Sequence, residues 1–150
     1  MINKLVYLSL FLFVFASCEV SPKPINYGAD GCHFCSMTIV DKQHAAQIVT
    51  KKGKAFKFDA VECMMNHLKD VDMANIELFL VNNYLAPGKL IDAKTATFLI
   101  SKEIPSPMGE YLSGFQSRVE AENIEDENNG KLYYWNELLT RFKVEYLDSI

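Results

Sequence analysis

The chain has 150 residues, is 49% hydrophobic and 23% charged, and carries a formal net charge of −4, the profile of one ordinary globular domain. An acidic balance without a basic stripe provides no attraction for polyanions, so nucleic acid is excluded as a partner. The acidic cluster Glu120-Ala-Glu122 with Glu125-Asp126-Glu127 reads as a solvated face.

The N-terminus opens with a single charge at Lys4, followed by an apolar run from Leu5 to Ala16 broken only by Ser9. At twelve residues the run is shorter than the roughly 20 needed to cross a bilayer and has the length of a signal-peptide core. It ends in Phe15-Ala16-Ser17-Cys18, which resembles a bacterial lipobox, although Phe15 stands where Leu is preferred. Residues 1–17 are therefore expected to be a lipoprotein-type signal peptide, with Cys18 lipidated and residues 18–26, including Ser21-Pro-Lys-Pro24, a short tether. Acyl chains, at about 0.8 kcal/mol per buried methylene, then hold the domain to a membrane.

In chain order, strands are expected at Met37 to Val40 and Ala45 to Thr50, joined by the polar turn Asp41 to His44, with a third at Ala55 to Phe58. Asp59 and Glu62 have capping-box spacing, and Val61, Met64, Met65 and Leu68 fall at i, i+3, i+4 and i+7, so a helix is expected from about Ala60 to Lys69. Ile76 to Val81 reads as a strand, Pro87-Gly88 as a turn, and Leu90-Ile91 and Thr97 to Ile100 as short strands. Gly53-Lys54-x-Phe56-x-Phe58-Asp59 recurs as Gly130-Lys131-x-Tyr133-x-Trp135-Asn136, with Asn136 expected as N-cap before a stripe of Leu138, Leu139 and Phe142. A further short helix is expected after the Ser117/Glu120 capping box. The fold class is therefore α+β: two related β-β-α-β-type units, about 27–85 and 90–150, packed into one compact domain.

Apart from Cys18, three cysteines remain: Cys32, Cys35 and Cys63. An odd number cannot form a complete disulfide framework, so at least one thiol is free or metal-bound. Cys32-His-Phe-Cys35-Ser-Met37 gathers two thiols and a thioether, Cys63-Met64-Met65 adds more sulfur, and Ser106-Pro107-Met108-Gly109 places a methionine in a loop. Soft sulfur donors select Cu(I), and methionine supplies a ligand that carries no proton and forms no disulfide. Candidate ligands by donor type are Cys32, Cys35, Met37 and Met108, with Cys63 and Met64 as a secondary pair. Read blandly, Cys63 is a small buried hydrophobe, Met64 and Met65 are core, and His33 and His44 are solvated loop residues. Zinc is an alternative through Cys32, Cys35, Cys63 and His67. The enzyme-class alternative is a thiol-disulfide oxidoreductase using Cys32 and Cys35, against which stands the strand, rather than helix, expected after the motif.

The order Tyr27-Gly28-x-Asp30-x-Cys32-x-x-Cys35-x-Met37-x-Ile39-x-Asp41, Ala45-Ala46, Gly53, Phe58-Asp59, Cys63-Met64, Ile91-Asp92-Ala93-x-x-Ala96 and Pro107-Met108-Gly109 resembles the NosL accessory lipoproteins of nitrous oxide reductase. The resemblance covers nearly all of the chain after Cys18; Ser36 replaces a usual Gly and Asp59-Ala60 a paired acid. It implies a non-enzymatic Cu(I) chaperone of denitrification, lipid-anchored through Cys18 on the periplasmic side of a bacterial membrane, with Cys35, Met37 and Met108 as the metal positions and Cys32 as an auxiliary thiol. Its partner would be a copper-accepting reductase or that reductase's assembly factors, and residues 27–150 its copper-binding domain.

Overall fold

The computed structural model describes residues 19–145; the signal-peptide and lipidation readings at residues 1–18 lie outside them. β1 (Ala46–Thr50) pairs antiparallel with β2 (Ala55–Phe58) on one side and with β3 (Ile76–Asn83) on the other, and β3 pairs with β4 (Ala86–Asp92). This gives a four-stranded sheet in the order β2-β1-β3-β4. The second sheet places β5 (Thr97–Ile100) between β6 (Leu112–Phe115) and β7 (Lys131–Tyr134), all antiparallel. The α+β class with two small units is observed.

α1 (Val61–His67) runs on into a 3-10 turn at Leu68–Asp70, matching the expected helix. Its stripe Val61, Met64, Met65 and Leu68 is buried to 2% exposure or less, and each such side chain contributes about 1.5–3 kcal/mol on leaving water. The capping box at its start does not form: Ala60 is the N-cap and makes no side-chain cap. Glu62 is instead turned into the protein interior. α2 (Arg118–Asn128) does carry its expected box, with Ser117 and Glu120 bonded reciprocally. α3 (Trp135–Phe142) begins two residues earlier than expected, with Tyr134 rather than Asn136 as N-cap, because β7 leads directly into it and the Tyr134 amide donates to the Glu137 carboxylate at 2.7 Å.

Two other expectations are corrected. Met37 to Val40 is no strand: Thr38 forms an isolated bridge to Gly31, and Met37 and Val40 are exposed while Ile39 is buried. The segment pairs only within its own loop, through the Cys32 amide to Met37 and the Ile39 amide to Asp30, and joins neither sheet. Pro87-Gly88 is not the reversal either. The β3–β4 turn is at Tyr84-Leu85, and the shift in register between the Asn82↔Leu90 and Asn83↔Ala86 pairs leaves Pro87 to Lys89 as a bulge. The Gly88 amide, at φ +84°, reaches the Lys42 carbonyl at 2.7 Å.

The sheets meet where β6 crosses β3. A Cβ on Gly114 would stand 3.0 Å from a Val81 methyl, and the Tyr84 amide donates to the Gly114 carbonyl at 2.8 Å. Trp135 wedges between the sheets, its ring 5.4 Å from Phe79 and 6.3 Å from Phe98. His44 is a third tie and is buried rather than solvated: its ring bonds Asp41 at 2.9 Å and the Ser113 hydroxyl at 3.1 Å. The expected tether is itself docked, since the Lys23 backbone exchanges two 2.8 Å hydrogen bonds with the buried Gln47 side chain.

The glycine that opens each repeat has positive φ, +80° at Gly53 and +138° at Gly130. At Gly130 a Cβ would also lie 2.6 Å from the Ile100 carbonyl oxygen. Gly130→Ala is therefore expected to lower stability by more than about 1 kcal/mol, measured by urea unfolding; an unchanged midpoint would refute the constraint.

Candidate metal centre

The segment Gly28 to Ile39 is a compact, self-bonded loop. The Gly28 amide donates to Ile39 and the Ile39 amide to Asp30, while at the tip the Cys32 amide donates to the Met37 carbonyl at 2.7 Å and the Ser36 amide to Cys32 at 3.0 Å. Closing that tip requires the left-handed conformation at Ser36, which a side chain tolerates at a cost. The loop then docks on the free edge of the four-stranded sheet: the His33 amide donates to the Lys57 carbonyl of β2 at 2.9 Å, and the Lys57 ammonium pairs with Asp30 at 2.6 Å.

β2 continues through Asp59 and Ala60 into α1, and the third residue of that helix is Cys63. The sulfurs of Cys32, Cys35 and Cys63 consequently all lie within 4.8 Å of one another. All three are free thiols; Cys32 and Cys63 are buried and Cys35 is partly exposed. Three sulfurs at this separation match the span of a low-coordinate thiolate metal site, with Cys35 as its solvent-facing member.

The cluster is electrostatically asymmetric. Cys32 is pulled down to about 4, chiefly because the Cys63 thiol donates to it, helped by backbone amides of Cys35, Asp59 and Phe34; the Cys35 amide lies 3.5 Å from its sulfur. Cys63 is pushed far up by that same donated bond and by burial. Cys35 is raised mainly by desolvation. The metal-free centre thus holds one thiolate, at Cys32, embraced by amides and a neighbouring thiol. Asp59, whose Oδ1 is buried without a partner, is kept toward its protonated form by desolvation and then by the Cys32 thiolate.

Met37 is 54% and Met108 39% exposed, as free thioethers require, and Phe34 beside Cys35 is exposed too. Met64 is fully buried in the core with Met65. Cys63, read from sequence as a small hydrophobe, as half of a secondary pair or as one ligand of the zinc alternative, is the third member of the main cluster; its spacing from Cys35 does not reveal that β2 returns beside the loop. His67 does not join the three sulfurs. Its ring faces His33 at 5.0 Å between centroids and packs on Phe56 and Phe58, and desolvation followed by the His33 charge lowers its basicity. Among the described residues the four-ligand zinc arrangement is therefore not assembled. His33 is exposed, as expected.

A family model described as NosL matches residues 24–142. No curated protein gives a significant match. Among solved structures, the crystal structure of the copper chaperone NosL from Shewanella denitrificans is similar, with a TM-score of 0.69 and 22% identity over 79% of this chain and 96% of that chain. At that identity the likeness establishes the fold, while the family match spans the cysteine loop, both sheets and all three helices. This chain belongs to the NosL family.

Proposed function

We propose that this protein is a Cu(I) chaperone, tethered by lipid at Cys18 to the periplasmic side of a bacterial membrane, that hands copper to nitrous oxide reductase or to its assembly factors. The observation that carries the copper reading is the convergence of three sulfurs within 4.8 Å, two buried and one facing solvent. Support for the monovalent ion comes from charge. One buried thiolate balances Cu(I), and neutral donors can complete the shell. A divalent ion of zinc type draws a second and third thiolate into a site where Cys63 and Cys35 are both held toward their protonated forms. Met37 and Met108 offer thioethers that add no charge, and the mouth at Cys35 gives an acceptor's ligands a place to attack. The copper chaperone from Shewanella denitrificans shares the fold. The lipid anchor rests on the sequence ending at Cys18, and the client on family membership.

The oxidoreductase alternative requires an exposed, acidic attacking thiol. Here the acidic thiol, Cys32, is 3% exposed, whereas the accessible one, Cys35, is held protonated. That ordering suits storage of a soft ion better than attack on a disulfide.

Anaerobic titration against a competing chelator should give one Cu(I) per chain. Cys35→Ser and Cys63→Ser should each weaken binding by about tenfold or more, equivalent to about 1.4 kcal/mol. Tight Zn(II) binding with Cu(I) affinity indifferent to Cys63→Ser would overturn the copper reading. The metal-free protein should show the ultraviolet absorbance of one thiolate at neutral pH. That signal should fall with a midpoint at about 4, vanish in Cys32→Ser, and move to higher pH in Cys63→Ser, which removes the donated bond. The sign for folding follows: because the Cys32 thiol is depressed from 9.0 in the unfolded chain to about 4, its contribution to stability is present above the unfolded value and lost as pH falls through about 4. For the anchor, Cys18→Ala should move the protein out of the membrane fraction or leave it unprocessed; normal processing with full retention would refute lipidation.

A further inference from the structure

Glu62 immediately precedes Cys63 on α1, yet its side chain plays no part in the thiol cluster and is completely buried. Its Oε1 accepts the hydroxyl of Ser106, and its Oε2 is buried with no hydrogen-bond partner. Leaving a carboxyl in this position is costly, and on α1 nothing local requires it, since the helix start is already made by Ala60. What the carboxyl does hold is the loop between β5 and β6.

That loop is closed at its base by the Ser101 amide donating to the Tyr111 carbonyl at 3.1 Å. Within it, Ser106-Pro107-Met108-Gly109 is a tight turn in which the Gly109 amide returns to the Ser106 carbonyl at 3.0 Å, placing Pro107 and Met108 at the two central positions. Two residues just beyond the methionine are left-handed, Gly109 at φ +76° and Tyr111 at φ +60°. A tyrosine in that region is strained and persists only where its surroundings over-determine it. The Ser106 hydroxyl provides that constraint: it accepts the Tyr111 amide at 2.9 Å while donating to Glu62. Nothing packs Met108 itself into the core, where it would otherwise be fixed.

We propose that Glu62 and Ser106 form a latch that positions the Met108 thioether beside the helix turn bearing Cys63, so that one buried carboxyl sets the reach of the remote methionine toward the metal. The proposal rests on the reading that Met108 is a copper ligand. It makes Glu62 and Ser106 positioning residues: the hydroxyl orients the turn, the carboxyl orients the hydroxyl, and neither touches the ion. Partners that orient ligands from outside the coordination sphere are commonly worth about 10–100-fold in metal affinity.

The test compares Cu(I) affinity, by chelator competition, and the number of sulfur neighbours, by copper X-ray absorption, in the intact protein and its variants. Ser106→Ala should weaken binding about 10-fold or more and remove one sulfur neighbour, as Met108→Ala does. Ser106→Thr, which keeps the hydroxyl, should restore both readouts. In a Met108→Ala background, Ser106→Ala and Glu62→Gln should add nothing further. Thermal unfolding of the metal-free variants identifies any that lose the fold, and Ser106→Ala, the mildest truncation, then decides the question. If Met108→Ala weakens binding but Ser106→Ala leaves affinity and sulfur number intact, or if the two losses simply add, the latch is overturned. If Met108→Ala changes neither readout, the ligand reading fails and the latch falls with it.

Discussion

The Lys57 carbonyl is where the molecule brings the two halves of its cysteine cluster together. Lys57 lies on β2, the outer strand of its sheet, and its outward carbonyl accepts the His33 amide while its ammonium holds Asp30. An unpaired strand edge is a liability that proteins cover, and here the cover is the cysteine loop itself. From the same strand the chain passes through two residues into α1 and reaches Cys63 within its first turn. One edge therefore fixes the position of Cys32 and Cys35 from one side and of Cys63 from the other. Removing the edge contact would separate thiols that no covalent bond joins.

Rigidity around that pivot comes from the seam between the two sheets. Gly114 permits β6 to approach β3, Trp135 fills the space between Phe79 and Phe98, and His44 carries a hydrogen bond across to Ser113. These ties keep the β5–β6 loop, and with it Met108, in register with α1. Each sheet is too small to bury its own inner face, so each supplies the other's core. The cysteine loop, α1 and the methionine turn thus belong to one packed body, although their residues are far apart in the chain.

The electrostatics of the thiols follow from the same packing. Three sulfurs forced close together cannot all ionise in a desolvated site, and the proton is withheld from the sulfur best supplied with donors. Cys32 receives the Cys63 thiol and loop amides; Cys63 makes the donation and keeps its proton. The result is a single negative charge with neutral soft donors around it, exposed at one edge through Cys35. Such a site can take up a monovalent soft ion without creating a buried net charge, and can release it to a ligand approaching from the open side.

The sequence alone carried what depends on local pattern. The α1 stripe, the Ser117 capping box, the strands at Ala45 to Thr50, Ala55 to Phe58 and Thr97 to Ile100, and the sulfur-rich segments at Cys32 and Met108 are legible because period, cap chemistry and donor type are written in adjacent residues. Tertiary structure alone decided which sulfurs meet. Cys63 joins the cluster because β2 lies beside the cysteine loop, a pairing between residues 33 and 57 that no short-range pattern encodes. Met37 to Val40 alternates like a strand yet pairs only with residues 28–32 of its own loop, because the free edge of the sheet is met by His33 instead. Glu62 has the spacing of a capping residue, but is withdrawn into the interior by Ser106, some forty residues away in the chain. Local propensity proposes these roles, and the long-range contact with the greater free-energy consequence disposes of them.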